Sequence, residues 1–182
     1  MIYDLPTNLN INGKDYKIRS DFRAVLDILT ALKDPNLSNY EMALVLLQIL
    51  YIDYDEIDDY QEAINKAIWF IDCGEEYKPT RNKPALMDWE QDFKLIVAPI
   101  NRILGYECRQ ADYLHWWSFI SAYYEIGECA FSNIVSIRNK KQRHKKLEKW
   151  EQEFYRDNRE MIDLKKRISD ETQKEIDDIL GV

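Results

Sequence analysis

The sequence has few of the residues on which disulfide scaffolds and many cofactor sites depend. Its 182 residues include three cysteines, five glycines, five prolines and two histidines. Cys73, Cys108 and Cys129 are odd in number and lack CxxC spacing, which excludes a disulfide framework and a zinc knuckle. The glycines stand singly, so no glycine-rich loop of the phosphate-cradling kind is present. We expect reduced thiols, with no cofactor and no metal.

Long hydrophobic runs are missing as well. The most apolar stretch, residues 42–52, is interrupted by Gln48 and is far shorter than the ~20 residues needed to cross a bilayer. The N-terminal residues contain no basic segment followed by an apolar run, so they do not resemble a secretory signal. We therefore expect a protein that stays in the cytoplasm where it is made and does not enter a membrane.

What the chain does contain is enough apolar surface for a packed core. Hydrophobic residues make up 46% of the sequence and aromatic residues 13%, which is typical of globular rather than disordered proteins. The formal net charge of −8 argues against a phosphate backbone as the main partner of the whole molecule. A chain of this length fits one domain, so we expect a mainly α, single-domain fold over residues 1–182.

The N-terminal part predicts a small hairpin followed by helices. In residues 1–20, apolar and polar residues alternate on both sides of Asn12-Gly13, a pair that favours the tight turn of a β-hairpin. Residues 21–74 hold three stretches with apolar residues at helical spacing. The second of these helices begins with a capping box that starts at Ser38, and the third ends near Gly74.

The central part predicts a loop and then an aromatic helical core. Residues 75–86 carry two prolines and show no apolar period, as is typical of a loop. In residues 87–138, a fourth helix begins near Trp89 and contains Pro99, which removes a backbone donor and should kink it. A fifth helix, rich in aromatic residues, begins near Asp112.

The C-terminal part predicts one long helix. Residues 139–168 contain neither proline nor glycine and consist mostly of good helix formers. About 30 residues at 1.5 Å each would span ~45 Å, more than the ~30 Å width of a small domain, so part of this helix should protrude or pack on another chain. Six apolar residues, here called the heptad seam, follow heptad spacing along it: Leu147, Trp150, Phe154, Met161, Leu164 and Ile168. Residues 169–182 are predicted as a tail.

An acidic cluster invites a calcium interpretation. Asp53, Asp55, Asp58 and Asp59 lie close together in sequence, but an EF-hand loop starting at Asp53 would need glycine in place of Asp58 and glutamate in place of Ile64. We favour the alternative that these acids complement the dipole at the N-terminus of the third helix.

A second group, Cys108, Asp112 and His115, has the residue types of a thiol–imidazole–carboxylate set. The sequence provides no glycine-supported nucleophile turn around them. We favour a structural His115 that holds a backbone carbonyl beside Trp116, and we predict that the protein is not an enzyme.

A basic stretch stands out in this acidic protein: Arg138, Lys140, Lys141, Arg143, Lys145, Lys146 and Lys149. Such a stretch can track nucleic-acid phosphates, but it can equally be a solvated helix face or a docking site for an acidic protein. We favour the last two interpretations, and salt-dependent retention on DNA separates them from the first. The heptad seam leaves two alternatives open, packing on its own domain or recruitment of a partner helix.

Three ordered motifs within residues 80–170 resemble those of a phage protein family. One is a Trp-Glu-Gln-Asp stretch at the head of a helix, one a His-Trp-Trp motif, and one an Ile-Arg element that precedes the basic stretch. In this chain they are Met87-Asp88-Trp89-Glu90-Gln91-Asp92, Leu114-His115-Trp116-Trp117-Ser118-Phe119 and Ile134-Val135-Ser136-Ile137-Arg138. Together they are similar to the family known as gp-fifteen, whose members are encoded among tail genes.

The resemblance implies a non-virion tail assembly chaperone, made in the host cell by a phage or prophage. Such a protein holds the tape measure protein soluble and assists polymerisation of the tail tube protein. Formation of homo-oligomers would be one means by which it coats a long client. We expect the motif residues to be structural: Trp89, Asp92, His115, Trp116, Trp117, Ile137 and Arg138. The predicted partner-binding residues are the heptad seam together with Lys140, Lys141, Arg143, Lys145 and Lys146. The alternatives are a tail completion or connector subunit that stays in the virion, and a nucleic-acid-binding regulator.

Overall fold

The computed structural model of the chain describes residues 4–75 and 84–172 and shows a mainly helical protein with a small N-terminal hairpin, which confirms both predictions. Strands β1 (Asn8–Ile11) and β2 (Lys14–Lys17) form the hairpin. The helices are α1 (Phe22–Ala31), α2 (Asn39–Leu50), α3 (Tyr60–Ile71), α4 (Trp89–Leu104), α5 (Trp116–Tyr124), α6 (Ala130–Gln142), α7 (Lys149–Asp157) and α8 (Arg159–Ile162).

The described residues divide into two compact units. Unit 1 contains residues 4–75, 113–117 and 166–172, and unit 2 contains residues 84–112 and 118–165. The division passes through α5, between Trp117 and Ser118. Each unit is described by itself.

Unit 1 begins with the hairpin, whose turn requires the left-handed backbone conformation. Asn12 and Gly13 have φ values of 50° and 89°, as the turn of a two-residue hairpin demands. Leu9 and Tyr16 are paired across the two strands and both are buried.

The three helices of unit 1 begin at side-chain caps. Asp21 accepts a hydrogen bond from the backbone of Arg23, Ser38 and Glu41 form the predicted capping box, and Asp59 accepts from the Glu62 backbone. Each cap satisfies a donor that the first turn of a helix leaves unpaired. Helix α1 packs on α2, α2 on α3, and α3 on β1, around a core that includes Val25, Ile28, Leu47, Leu50, Ala67 and Phe70.

Unit 2 is built on α4, which begins at Trp89 as predicted, continues through Pro99 and ends at Gly105 with a φ of 77°. Helix α4 packs on α6, and α8 contacts both α6 and α7. A buried cluster of Ile134, Ile137 and Ile162 lies in this unit. Leu95, Leu147, Phe154, Tyr155 and Met161 pack against it.

The prediction of one long helix over residues 139–168 is wrong. Helix α6 ends at Gln142, residues 143–148 turn, and two short helices follow before the chain leaves helical structure after Ile162. The turn is a Schellman motif without glycine. His144 takes a φ of 52°, its N–H donates to Lys141 O (3.0 Å), and the N–H of Lys145 donates to Lys140 O (2.9 Å).

Three further predicted boundaries compare as follows. Helix α5 begins at Trp116 rather than near Asp112, because the residues before it form an extended bridge between His115 and Asp21. Most of the predicted loop over residues 75–86 and most of the tail over residues 169–182 lie outside the described residues.

Candidate functional site

The His-Trp-Trp motif lies in unit 1, where it meets the start of α1. The backbone of Trp116 donates to Ser20 O (2.8 Å), and that of Phe22 donates to Leu114 O (2.9 Å). The Asp21 carboxylate accepts from the Leu114 N–H (2.9 Å) as well as capping α1. These bonds attach the motif to a segment more than 90 residues earlier in the chain.

His115 uses both ring nitrogens within this structure. Its Nδ1 accepts from the Trp117 N–H (3.0 Å), so its Nε2 carries the proton and donates to Pro6 O (3.0 Å). The ring is buried, and burial lowers its pKa below the ordinary value, although the Pro6 carbonyl acts in the opposite direction. His115 therefore holds the Pro6 carbonyl through Nε2 and caps the N-terminus of α5 through Nδ1.

The two tryptophans of the motif satisfy the end of α3. The indole N–H of Trp116 donates to Ile71 O and that of Trp117 to Phe70 O, both at 2.8 Å. The last carbonyls of a helix have no partner within the helix. Gly74, with a φ of 87°, allows the Trp117 ring to approach, since a Cβ there would lie 3.2 Å from Trp117 Cη2.

The other two motifs meet in unit 2 through a buried ion pair. Arg138, on α6, donates to both carboxylate oxygens of Asp92, on α4, at 2.6 and 2.9 Å. Asp92 is fully buried and Arg138 is 5% exposed. The same guanidinium donates to the carbonyls of Leu86 (3.1 Å), Met161 (3.2 Å) and Ile162 (2.5 Å). The pair thus joins α4, α6 and α8.

Other residues of these two motifs also make structural contacts within unit 2. Ile137 belongs to the buried isoleucine cluster, and Trp89 packs against Tyr123 and Phe119 with ring centroids 5.0 and 6.1 Å away. Gln91 was not predicted as a site residue, although it belongs to the Trp-Glu-Gln-Asp motif. Its amide donates to Asp163 O (2.9 Å) and accepts from the Lys165 N–H (3.0 Å).

The structure separates the predicted heptad seam. Leu147, Phe154 and Met161 pack against the buried cluster of unit 2. For these three residues the structure agrees with the alternative in which the seam packs on its own domain. Trp150 is 53% exposed and Ile168 is 40% exposed, while Leu164 is half-buried. The seam does not lie on one helix, because the helix that would align it ends at Gln142.

Two of the five basic residues predicted to bind a partner are paired with acidic residues of unit 2. Lys140 donates to the buried Glu151 (2.7 Å), and Lys141 pairs with Asp163 and lies 3.7 Å from the centre of the Tyr155 ring. Burial alone would raise the pKa of Glu151, but hydrogen bonds from the Lys140 ammonium and the Glu148 N–H outweigh it and lower the pKa. Glu151 was not predicted, because nothing in the sequence marks it as buried.

The remaining cations lie on the turn that ends α6 and on the first residue of α7. Arg143, Lys145, Lys146 and Lys149, here called the basic turn, are exposed. Their side chains make no hydrogen bond or ion pair with the part of the chain that the structure describes. Trp150 follows them directly. The basic turn thus offers four exposed cations that the motif contacts do not use.

Asp59 of the acidic cluster and His115 of the predicted thiol–imidazole–carboxylate set each have a structural role. Asp59 caps α3 and accepts from the Asn12 amide (3.0 Å). His115 has no ring nitrogen free for a thiol, and Cys108 is buried with its N–H bonded to Asn101 Oδ1 (2.8 Å). Within residues 4–75 and 84–172, no three His, Cys, Asp or Glu side chains are grouped as metal ligands. No described helix is long and apolar enough to span a bilayer.

Fold and motif contacts together define a mainly helical protein in which the three sequence motifs hold backbone carbonyls and helix ends in place. The chain belongs to the bacteriophage Gp15 protein family, whose model matches residues 1–164. No curated protein and no solved structure matches it significantly. It is therefore a bacteriophage protein, and the family assignment made from the motifs is confirmed.

Proposed function

We propose that this protein is a non-catalytic tail assembly chaperone that binds the tape measure protein and assists assembly of the tail tube. The proposal rests on membership of the bacteriophage Gp15 family. The family that the three motifs resemble is encoded among tail genes. The proposed site of action is the host cytoplasm, and the protein is absent from the mature virion.

The physical requirement of such a client supports the proposal. A tape measure protein is a long, largely helical chain with exposed apolar stripes, and exposed apolar surface of this extent aggregates unless it is covered. A chaperone for it needs exposed side chains that its own fold does not use. The family-motif residues do not qualify, since Trp116, Trp117, Asp92 and Arg138 make buried structural contacts.

The client surface is therefore assigned to the exposed members of the predicted partner-binding set. Within unit 2, Trp150 provides apolar area, and Arg143, Lys145 and Lys146 provide charge. Ile168 is exposed as well but belongs to unit 1, so it is not counted in this surface. Leu147, Phe154 and Met161 are removed from the assignment because they pack within unit 2. Tryptophan and arginine are enriched among the residues that contribute most to binding at protein interfaces, whereas lysines suit the polar rim that surrounds them.

The experiment is co-expression with the tape measure protein of the same phage. The soluble fraction of the tape measure protein should rise when this chain is present, and Trp150→Ser should reduce that rise. Tyr40→Ser is the matched control, because Tyr40 is an exposed aromatic residue outside the set, at 71% exposure compared with 53% for Trp150. An unchanged soluble fraction with the unmodified chain would reject the chaperone function.

The rival is a tail completion or connector subunit. Mass spectrometry of purified virions distinguishes the two, because a connector is present in the particle and a chaperone is absent. Retention of this protein on DNA at low salt but not at high salt would instead favour the nucleic-acid-binding regulator.

A further inference from the structure

The basic turn contains more positive charge than its surroundings neutralise. Arg143, Lys145, Lys146 and Lys149 are exposed and have no side-chain partner among the described residues, and Glu148 is the one carboxylate within that stretch of sequence. Like charges close together repel one another. A surface of this kind is most stable when an acidic surface covers it.

The backbone presents these cations in a fixed arrangement. The hydrogen bonds that end α6 hold residues 143–145, as described above. At the other end, the buried Glu151 accepts from both the Lys140 ammonium (2.7 Å) and the Glu148 N–H (2.8 Å), which ties the start of α7 to α6. A partner that binds here therefore orders few backbone atoms, which limits the entropic cost of association.

An acidic surface of matching character exists on the same chain. Asp53, Asp55 and Asp58, here called the acidic loop, are exposed around a short 3-10 turn, and their side chains bond to no described residue. Their neighbours Glu56 and Asp59 are already used, the first by Lys14 (3.2 Å) and the second as the cap of α3.

Exposed apolar residues border the acidic loop on both sides. Ile52 is 45% exposed and Tyr60 is 46% exposed. The methylene stems of lysine can cover such side chains while the ammonium groups reach the carboxylates. The guanidinium of Arg143 is suited to the face of the Tyr60 ring.

We propose that the basic turn of one molecule docks on the acidic loop of a second copy. The two surfaces are complementary in charge, and the second copy is the acidic partner that is present wherever the first one is made. Because the two surfaces differ, two copies that pair both surfaces reciprocally form a symmetric dimer, whereas head-to-tail contacts form a ring or an open chain. The sedimentation coefficient of the associated species distinguishes these assemblies. Exposed ion pairs contribute little each, so the association is reversible and weakens with salt.

The experiment is analytical ultracentrifugation of the full chain, freed of nucleic acid, from 50 to 500 mM NaCl. Association should be concentration-dependent at low salt, and its dissociation constant should rise about tenfold or more over this range because salt screens exposed charges. The double variants K145E/K146E and D55K/D58K should each remain monomeric, since each one places like charges opposite each other. Mixing the two variants should restore association, because the reversed surfaces again attract.

Two controls separate this contact from a general effect of net charge. K94E/K165E and E125K/E128K change the charge by the same amounts at exposed positions outside both surfaces, and both should associate as the unmodified chain does. A monomer at every salt concentration, or association that neither double variant alters, would overturn the proposal. Association that disappears after nuclease treatment would also overturn it, since nucleic acid would then bridge the copies.

Discussion

Arg138 illustrates how one residue of unit 2 holds several elements. It donates to both oxygens of Asp92 and to three backbone carbonyls. Removing one partner of a buried pair leaves the other charge without compensation, which costs far more than the pair itself contributes. The buried network therefore constrains the arrangement of α4, α6 and α8 even if its net contribution to stability is small.

This gives a prediction for a double-mutant cycle. Arg138→Met should lower the free energy of unfolding by about 3–5 kcal/mol, because it leaves the Asp92 carboxylate buried without a counter-charge. The double variant R138M/D92N should lose less free energy of unfolding than the sum of the losses in the two single variants, with a coupling energy of about 1 kcal/mol or more. Urea unfolding measures both.

The control for that cycle is an exposed pair. Arg156 and Asp157 bond at 2.9 Å with side chains 74% and 61% exposed, so Arg156→Met should leave the urea midpoint unchanged. Strictly additive effects at Asp92 and Arg138 would show that the buried pair does not couple.

His115 predicts a pH dependence of stability. Its pKa in the folded protein is lowered by burial, so the folded state binds fewer protons than the unfolded state. Its contribution to stability is therefore complete above the unfolded value of about 6.5 and is lost as the pH falls below it. Protonation of Nδ1 would also break the bond from the Trp117 N–H.

The measurement is the urea midpoint between pH 7.5 and 5.0. His115→Asn should flatten the decline, since asparagine can still accept from the Trp117 N–H and does not titrate. His144→Asn removes the other histidine and should retain the decline. An identical slope in the His115→Asn protein would assign the acid sensitivity to other groups.

The end of α6 shows how an element can stop without the usual signal. Schellman motifs favour glycine at the residue with positive φ, because other residues meet steric strain there. In this chain His144 occupies that position at φ 52°. Cys73 does the same at the end of α3, at φ 57°, where Gly74 follows it.

The positive φ of His144 allows a test of whether the helix ends there or continues through residue 144. His144→Gly should raise the free energy of unfolding by about 0.5–1 kcal/mol, because glycine relieves the left-handed strain. In a continuous helix the same change would lower it by about 1 kcal/mol. Thermal unfolding measures the sign, and Arg143→Gly, at a φ of −88°, is the control that should destabilise.

The break in the helix also changes the interpretation of its apolar residues. Once α6 ends, Leu147, Phe154 and Met161 turn onto the isoleucine cluster of unit 2, while Trp150 remains largely exposed. A seam that would have recruited a partner helix along its whole length is thus reduced to a few exposed side chains. The predicted client surface is smaller and more basic than the heptad spacing indicated.

At the scale of the whole molecule, the basic turn has the opposite sign to the overall charge. The net charge is −8, yet the basic turn carries four cations in seven residues. Where unlike surfaces of identical molecules pair head to tail, copies assemble in a row, and a row of weak contacts suits a long client because many weak contacts act together. Loss of association in D55K/D58K with retained solubility of the tape measure protein would separate self-assembly from client binding, because Asp55 and Asp58 lie outside the proposed client surface.

Local sequence signals determined most of the elements of this protein. Asn12-Gly13 specified the hairpin turn, Ser38 and Glu41 the start of α2, and Gly105 the end of α4. Each of these signals acts between residues a few positions apart, so it can be recognised without tertiary structure. The three motifs determined the family in the same way, because their order and residue types are properties of the chain.

Tertiary structure decided which residues meet and where the C-terminal part turns. The Asp92–Arg138 pair joins residues 46 positions apart, and the indole of Trp117 caps a carbonyl 47 positions away. Helix propensity favoured a continuous helix over residues 139–168, but folding back buries Leu147, Phe154 and Met161 and pairs Lys140 with Glu151. The apolar burial and the paired charge depend on contacts between helices, which no local pattern contains.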